Sequence, residues 1–357
     1  MNAERRHFWL AIVATFVSVV SACSQVMAQG FAGLGATAEG FSHPSRVVPV
    51  TFPQDHGPHP DFRIEWWYLT ANLQAENGTS YGLQWTLFRS ATEPLEREGW
   101  SSPQIWMGHA AVTTPDQHFV AERLARGGIG QAGAVADPFT AWIDEWEMTA
   151  TGDGIAELDL RAQGDGFGYD MQLSATGPLV LQGEEGYSVK SSSGRASYYY
   201  SQPFYEISGT LQLPEGDVAV TGTAWLDREW ASQPLGETQI SWDWFSMVFD
   251  SGERLMGFTL HDSEAGDFTA ATWIEPDGTP TPFPDGAFVS EPLETASVAG
   301  RDVPVVWRVR LPDKGVDVTV RALNSQAWMD TSVSYWEGPV VISGSHPGKG
   351  YLEMTGY

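Results

Sequence analysis

The chain has 357 residues, enough for two domains or one large β domain, and 42% of them are hydrophobic, ample for a packed core. Its net charge of −26 is spread along the chain, and Lys190, Lys314 and Lys349 are its only lysines; such a surface excludes nucleic acid and anionic lipid headgroups as partners. The single cysteine, Cys23, excludes a disulfide framework.

The N-terminus reads as a targeting segment, residues 1–28. Arg5 and Arg6 precede an apolar stretch from Phe8 to Val20 that is too short to span a bilayer. Val20-Ser21-Ala22-Cys23 has the form of a lipobox, which makes Cys23 the expected lipid anchor and that lipid the only membrane attachment; a cut after Val26-Met27-Ala28 is the competing reading. Residues 29–50 read as a tether. Three prolines and a glycine within Phe52–Pro60 forbid a helix, and His56 and His59 there read as hydrogen-bonding imidazoles rather than metal ligands.

From Arg63 the pattern is that of strands, and from Phe139 onward short strands recur every ten to fifteen residues with turn signals between them. Arg63 to Leu73 alternates, with Glu65, Trp67 and Leu69 on one face and Trp66 and Tyr68 on the other. Asn77-Gly78 signals a hairpin into Ser80–Arg89, and Ile105–Thr113 carries His109 inside a mostly apolar strand. Ala121 to Ala136 is expected to start as a short helix and end as a loop. Tyr205–Leu213 and Val218–Trp230 are expected to pair around Pro214-Glu215-Gly216-Asp217. On the second of these, Trp225, Asp227 and Glu229 share one face while Leu226, Arg228 and Trp230 share the other. The triplet Asp227-Arg228-Glu229 reads either as an ion-pair cluster or as an acid beside an apolar pocket.

The second half repeats the first weakly. Trp67-Tyr68 aligns with Trp244-Phe245, Tyr81–Arg89 with Leu255–Asp262, and Gly108–Thr113 with Thr269–Ile274. This repeat predicts an all-β chain with two tandem antiparallel barrels, residues 51–232 and 233–357. The 16 tryptophans exceed what a core needs and favour an apolar ligand cavity. No phosphate loop, nucleophile elbow, zinc motif or dinucleotide fingerprint is present.

Four stretches together carry a resemblance. They are His59-Pro60-Asp61-Phe62 with Glu65-Trp66-Trp67-Tyr68; Gly108-His109-Ala110-Ala111; Ala224 to Trp230 with Trp242-Asp243-Trp244-Phe245; and Tyr335-Trp336-Glu337-Gly338 with Gly350 to Tyr357. The chain resembles the carotenoid 1,2-hydratase/AttH-like family of secreted lipocalin-like proteins from about His56 to its end. The resemblance implies two lipocalin-like barrels and an isoprenoid or lipid-like ligand. It also implies, in some members, addition of water to an alkene without a cofactor or metal, and an ABC-type export permease as a partner. Carried onto this sequence, Asp227 is the expected acid, with Glu65, Glu229 or His109 orienting water. Trp66, Trp67, Tyr68, Trp106, Trp225, Trp230, Trp244 and Tyr335 are the expected ligand wall. The hydratases follow this Asp with His and Asn, whereas this chain has Arg228 and Glu229. Arg228 beside Asp227 is expected to keep that carboxylate ionised, and the triplet to act mainly as an ion-paired clamp at the pocket edge.

Overall fold

The computed structural model describes residues 38–236 and 238–357. The expected leader, Cys23 and residues 29–37 of the expected tether lie outside them. Where the tether is described it is held against the first barrel: the Ser42 N–H donates to the Asp61 carbonyl at 2.9 Å, and the Ser45 N–H to the Tyr198 hydroxyl at 3.0 Å.

Among the described residues, the helical pieces are three-residue 3₁₀ turns, and everything else regular is strand. Two curled antiparallel sheets result, one of 13 strands within 64–231 and one of 10 strands within 239–354. The segment expected to be helical is instead the strand His118–Arg126, paired along its length with Gln104–Thr113, followed by the strand Ala132–Ala136. Its Ala, Glu, Arg and Leu favour helix locally, but the sheet edge offers a full ladder of backbone partners, and that tertiary term wins.

Each sheet is organised around its opening strand. Ile64–Ala75 lies between Ser80–Ala91 and the closing strand Gly216–Ala231. Gln239–Phe249 lies likewise between Arg254–Asp262 and its closing strand Gly348–Met354. The repeat is therefore real in topology, but its register is one residue away from the sequence alignment. Trp67 and Phe245 both point into their own barrels, and Tyr68 and Trp244 both point out. With a side-chain period of two, one residue of slip exchanges inside for outside.

Alternation then gives three apolar layers. Trp67, Leu69, Leu83, Trp85, Leu226 and Trp230 fill the first barrel; Phe245, Met247, Trp307, Trp336 and Leu352 fill the second. The third layer lies between the sheets and joins Tyr68, Tyr199 and Trp225 to Trp244, Met256, Phe258 and Tyr351. Backbone approach at Gly82 makes this contact close. A Cβ there would sit 2.5 Å from Pro339 Cγ and 2.9 Å from the Tyr351 hydroxyl, both on the second sheet. Neither the proline ring nor the buried tyrosine can yield cheaply, so Gly82→Ala is expected to destabilise the chain by about 1–3 kcal/mol in chemical denaturation; an unchanged midpoint would show the sheets separable at this point.

Candidate active site

A cavity of about 330 Å³ lies between the sheets. Its walls come from the outward faces of the opening and closing strands, which period two sets opposite to the barrel cores, and from their neighbours in each sheet. Tyr68, Trp66, Tyr199, Asp227 and Glu229 come from the first sheet; Trp242, Trp244, Phe258, Tyr335 and Glu353 come from the second. Phe88, Ile105, Met107 and Leu124 extend the apolar wall toward solvent, where Ile105 and Leu124 are exposed.

Asp227 is 2% exposed. Its Oδ1 accepts from the Ser201 hydroxyl at 2.5 Å and from Trp225 Nε1–H at 2.6 Å, and its Oδ2 accepts from the Tyr199 hydroxyl at 2.6 Å. Local geometry places these donors. Ser201 is directly across the ladder from Asp227, Tyr199 is two residues from Ser201, and Trp225 is two residues from Asp227, so all four share a face. Tyr199 in turn accepts from Trp244 Nε1–H at 3.1 Å, which ties the acid to the second sheet.

Burial pushes the Asp227 carboxyl up to about 7, against the pull of its three donors and with a further push from Glu229. A carboxyl has about four acceptor positions, and three are filled. The fourth, on Oδ2, is where a proton can reside.

Arg228 does not act on Asp227. Adjacent strand residues face opposite ways, so Arg228 enters the first barrel. There its Nη2 meets Glu65 Oε2 at 3.0 Å, it donates to the carbonyls of Gly57 and Trp66, and its guanidinium carbon lies 3.8 Å from the centre of the Trp67 ring. The triplet is therefore not the expected clamp: Arg228 is ion-paired with Glu65 and not with Asp227 or Glu229, because neighbours in a strand face opposite ways, and the expected ionising effect on Asp227 is absent. Glu65 is likewise no free base. Burial raises its pKa, but Arg89, His59 and Arg228 overcome that and hold the carboxylate far below its ordinary range.

The other expected residues divide by parity. Trp66, Tyr68, Trp244 and Tyr335 line the cavity, and Trp225 stands just behind it as a donor to Asp227. Trp67, Trp106 and Trp230 do not reach it. Trp67 and Trp106 stack at 5.8 Å inside the first barrel, and Trp230 stacks on His59 at 4.0 Å. Glu229 does reach the cavity, but it is paired with Lys190 at 3.0 Å, whose ammonium sits over the rings of Tyr199 and Phe258. His109 is fully buried and stands behind the cavity wall, packed edge-on against Phe88 at 5.4 Å and with the Tyr335 hydroxyl 2.9 Å from its Nδ1, while its Nε2 lies 3.2 Å from Glu122. Burial lowers the His109 pKa, so the ring is neutral; the Nε2–H faces the carboxylate and the Tyr335 hydroxyl donates to Nδ1.

Sequence reading missed Tyr199, Ser201, Lys190, Trp242 and Glu353 as site residues. Glu353 Oε1 accepts from Trp242 Nε1–H at 2.6 Å, and burial pushes its carboxyl up to about 7, with Asp227 and Glu229 adding to the push. Its neighbour across the ladder, Glu337, is pushed well above the ordinary carboxylate range by burial and by Glu353. In the observed register Glu353 occupies the place in the second closing strand that Asp227 holds in the first.

A family model described as AttH-like matches residues 43–357. The chain belongs to the AttH-like family. A crystal structure from Nitrosomonas europaea assigned to AttH is similar at a TM-score of 0.80 and 31% identity, covering 89% of this chain and 99% of that one. Kievitone hydratase from Nectria haematococca is similar at 0.65 and 14% identity, covering 90% and 98%; CghA with Sch210972 is similar at 0.54 and 13%, covering 89% and 97%. The last two share the fold with this AttH-like chain. A comparison with curated proteins found no match.

The raised Asp227 pKa has a consequence for the stability of this AttH-like protein. Between an ordinary carboxylate value near 4 and the folded value of about 7, the native state holds a proton that the unfolded state has released, so stability falls as pH rises through that window. Asp227→Asn removes this loss. The variant is expected to be more stable than wild type at pH 8, on the order of a few kcal/mol, and closer to it at pH 4. Thermal unfolding at both pH values checks this, and equal or lower stability of the variant at pH 8 refutes it.

Proposed function

We propose that the chain binds an apolar, isoprenoid-like alkene between its two sheets and adds water to it without a cofactor. One observation carries this reading: Asp227, a buried carboxyl paired with no cation, faces a cavity whose walls are aromatic. Protonating an unactivated alkene needs an acid that is protonated near neutrality and shielded from bulk water. The tertiary cation that follows needs electron-rich faces, and Tyr68, Trp66, Trp242 and Trp244 supply them. The fold is shared with a protein named as a hydratase, which supports the reaction class, and with CghA, whose crystal structure is with Sch210972. Export, a lipid anchor at Cys23 and an ABC-type permease as partner belong to the same proposal and rest on the leader and the family resemblance.

The test uses the purified chain with squalene and geranylgeraniol in H₂¹⁸O. The expected result is quenching of tryptophan fluorescence on binding and a tertiary alcohol carrying ¹⁸O. No quenching and no labelled alcohol with either compound would sink the reading.

A further inference from the structure

The two sheets contribute one carboxyl each from matching places. Asp227 stands on the first closing strand directly opposite Tyr68 of the opening strand; Glu353 stands on the second closing strand directly opposite Trp244 of its opening strand. Each is anchored by an indole N–H at 2.6 Å, Trp225 for Asp227 and Trp242 for Glu353. Both line the one cavity, and neither is paired with a cation. By contrast, the third acid of the cavity, Glu229, is neutralised by Lys190, and Glu65 by two arginines.

We propose that Glu353 is a second catalytic residue, the base that takes the proton of the incoming water while Asp227 delivers the proton to carbon. This rests on the hydration reading and completes it, since an acid alone leaves the oxonium proton without a destination. The alkene π pair takes the Asp227 proton, a C–H bond forms, and the neighbouring carbon becomes cationic. Water oxygen bonds to that carbon as its O–H proton passes to Glu353. Asp227 ends ionised and Glu353 ends protonated, and the proton returns to Asp227 through solvent after the alcohol leaves. Two carboxyls buried in the wall of one cavity, with Asp227 acting on Glu353, cannot both ionise cheaply, so the resting pair is expected to hold a single proton near neutrality. Folded values of about 7 for both groups agree with that state.

Wild-type turnover in the H₂¹⁸O assay is then expected to follow a bell in pH. Activity rises at the acid side as Glu353 ionises and falls at the alkaline side as Asp227 loses its proton. Glu353→Gln keeps the oxygen that accepts from Trp242. It is expected to lower kcat by about 100-fold with little change in KM, and to erase the acid-side limb. Glu353→Asp is expected to recover part of the rate together with that limb. A Glu353→Gln enzyme with wild-type kcat, or a slow one that keeps its acid-side limb, overturns the proposal. Infrared titration of the carboxyl C=O band in the full chain separates this failure from failure of the hydration reading. Glu353→Gln should move the Asp227 titration to lower pH; an unmoved titration refutes the shared proton whatever the turnover. Absence of labelled alcohol from the wild type, with that movement present, refutes hydration and with it the catalytic role, while leaving the shared proton in place.

Discussion

Asp227→Asn is expected to abolish labelled-alcohol formation, by a factor of about 10²–10⁴ or to below detection, while the protein remains folded. The amide keeps the volume and the acceptor for Ser201 and Trp225, and the Tyr199 hydroxyl has a lone pair to accept from the new N–H. What is lost is the transferable proton. A second variant makes the assignment specific. Tyr199→Phe removes a donor that favours the ionised carboxylate, so the Asp227 pKa should rise and the alkaline limb of the activity profile should move to higher pH. Retention of most activity in Asp227→Asn, with normal folding, would show that the acid is elsewhere.

Arg228→Ala is expected to act in the opposite way, through stability. It takes a buried cation from Glu65, uncovers the Trp67 ring, and strips donors from the carbonyls of Gly57 and Trp66. Breaking such a buried pair costs about 3–5 kcal/mol, because the remaining carboxylate stays desolvated. At roughly 2–4 °C per kcal/mol for a unit of this size, the unfolding temperature should drop by on the order of 10 °C. The pH dependence has a definite sign. Glu65 has a depressed folded pKa, so its contribution is present above the ordinary carboxylate range and is lost as pH falls. Wild type should therefore be more acid-labile than Arg228→Ala in relative terms. A drop under about 2 °C would mean that Arg89 and His59 sustain Glu65 without Arg228.

The strand pattern was legible because residues along the strands alternate in character and turns punctuate them. The face assignment around the triplet was legible too, with Asp227 and Glu229 on one side and Arg228 on the other. The same alternation argued against letting Arg228 govern Asp227, since neighbours in a strand are opposites in space. Two things could not be read from the chain. One is which face of each strand is the barrel interior; Trp66 and Trp67 are equally aromatic, and only closure of the sheet decides that Trp67 is core and Trp66 is cavity. The other is long-range partnership. Tyr199, Ser201, Lys190 and Glu353 reach the site from strands and turns distant in sequence, through a ladder register that no local signal encodes.

The barrels here serve as walls rather than cups: their interiors are packed with side chains, and the ligand-sized space lies outside both. Along the opening and closing strands, residues of one parity therefore secure folding and residues of the other face the cavity. Such a molecule can change what it accepts without risking its core. Substitutions at alternate positions should drift in specificity, while their immediate neighbours stay frozen, which gives selection a ready separation between durability and novelty.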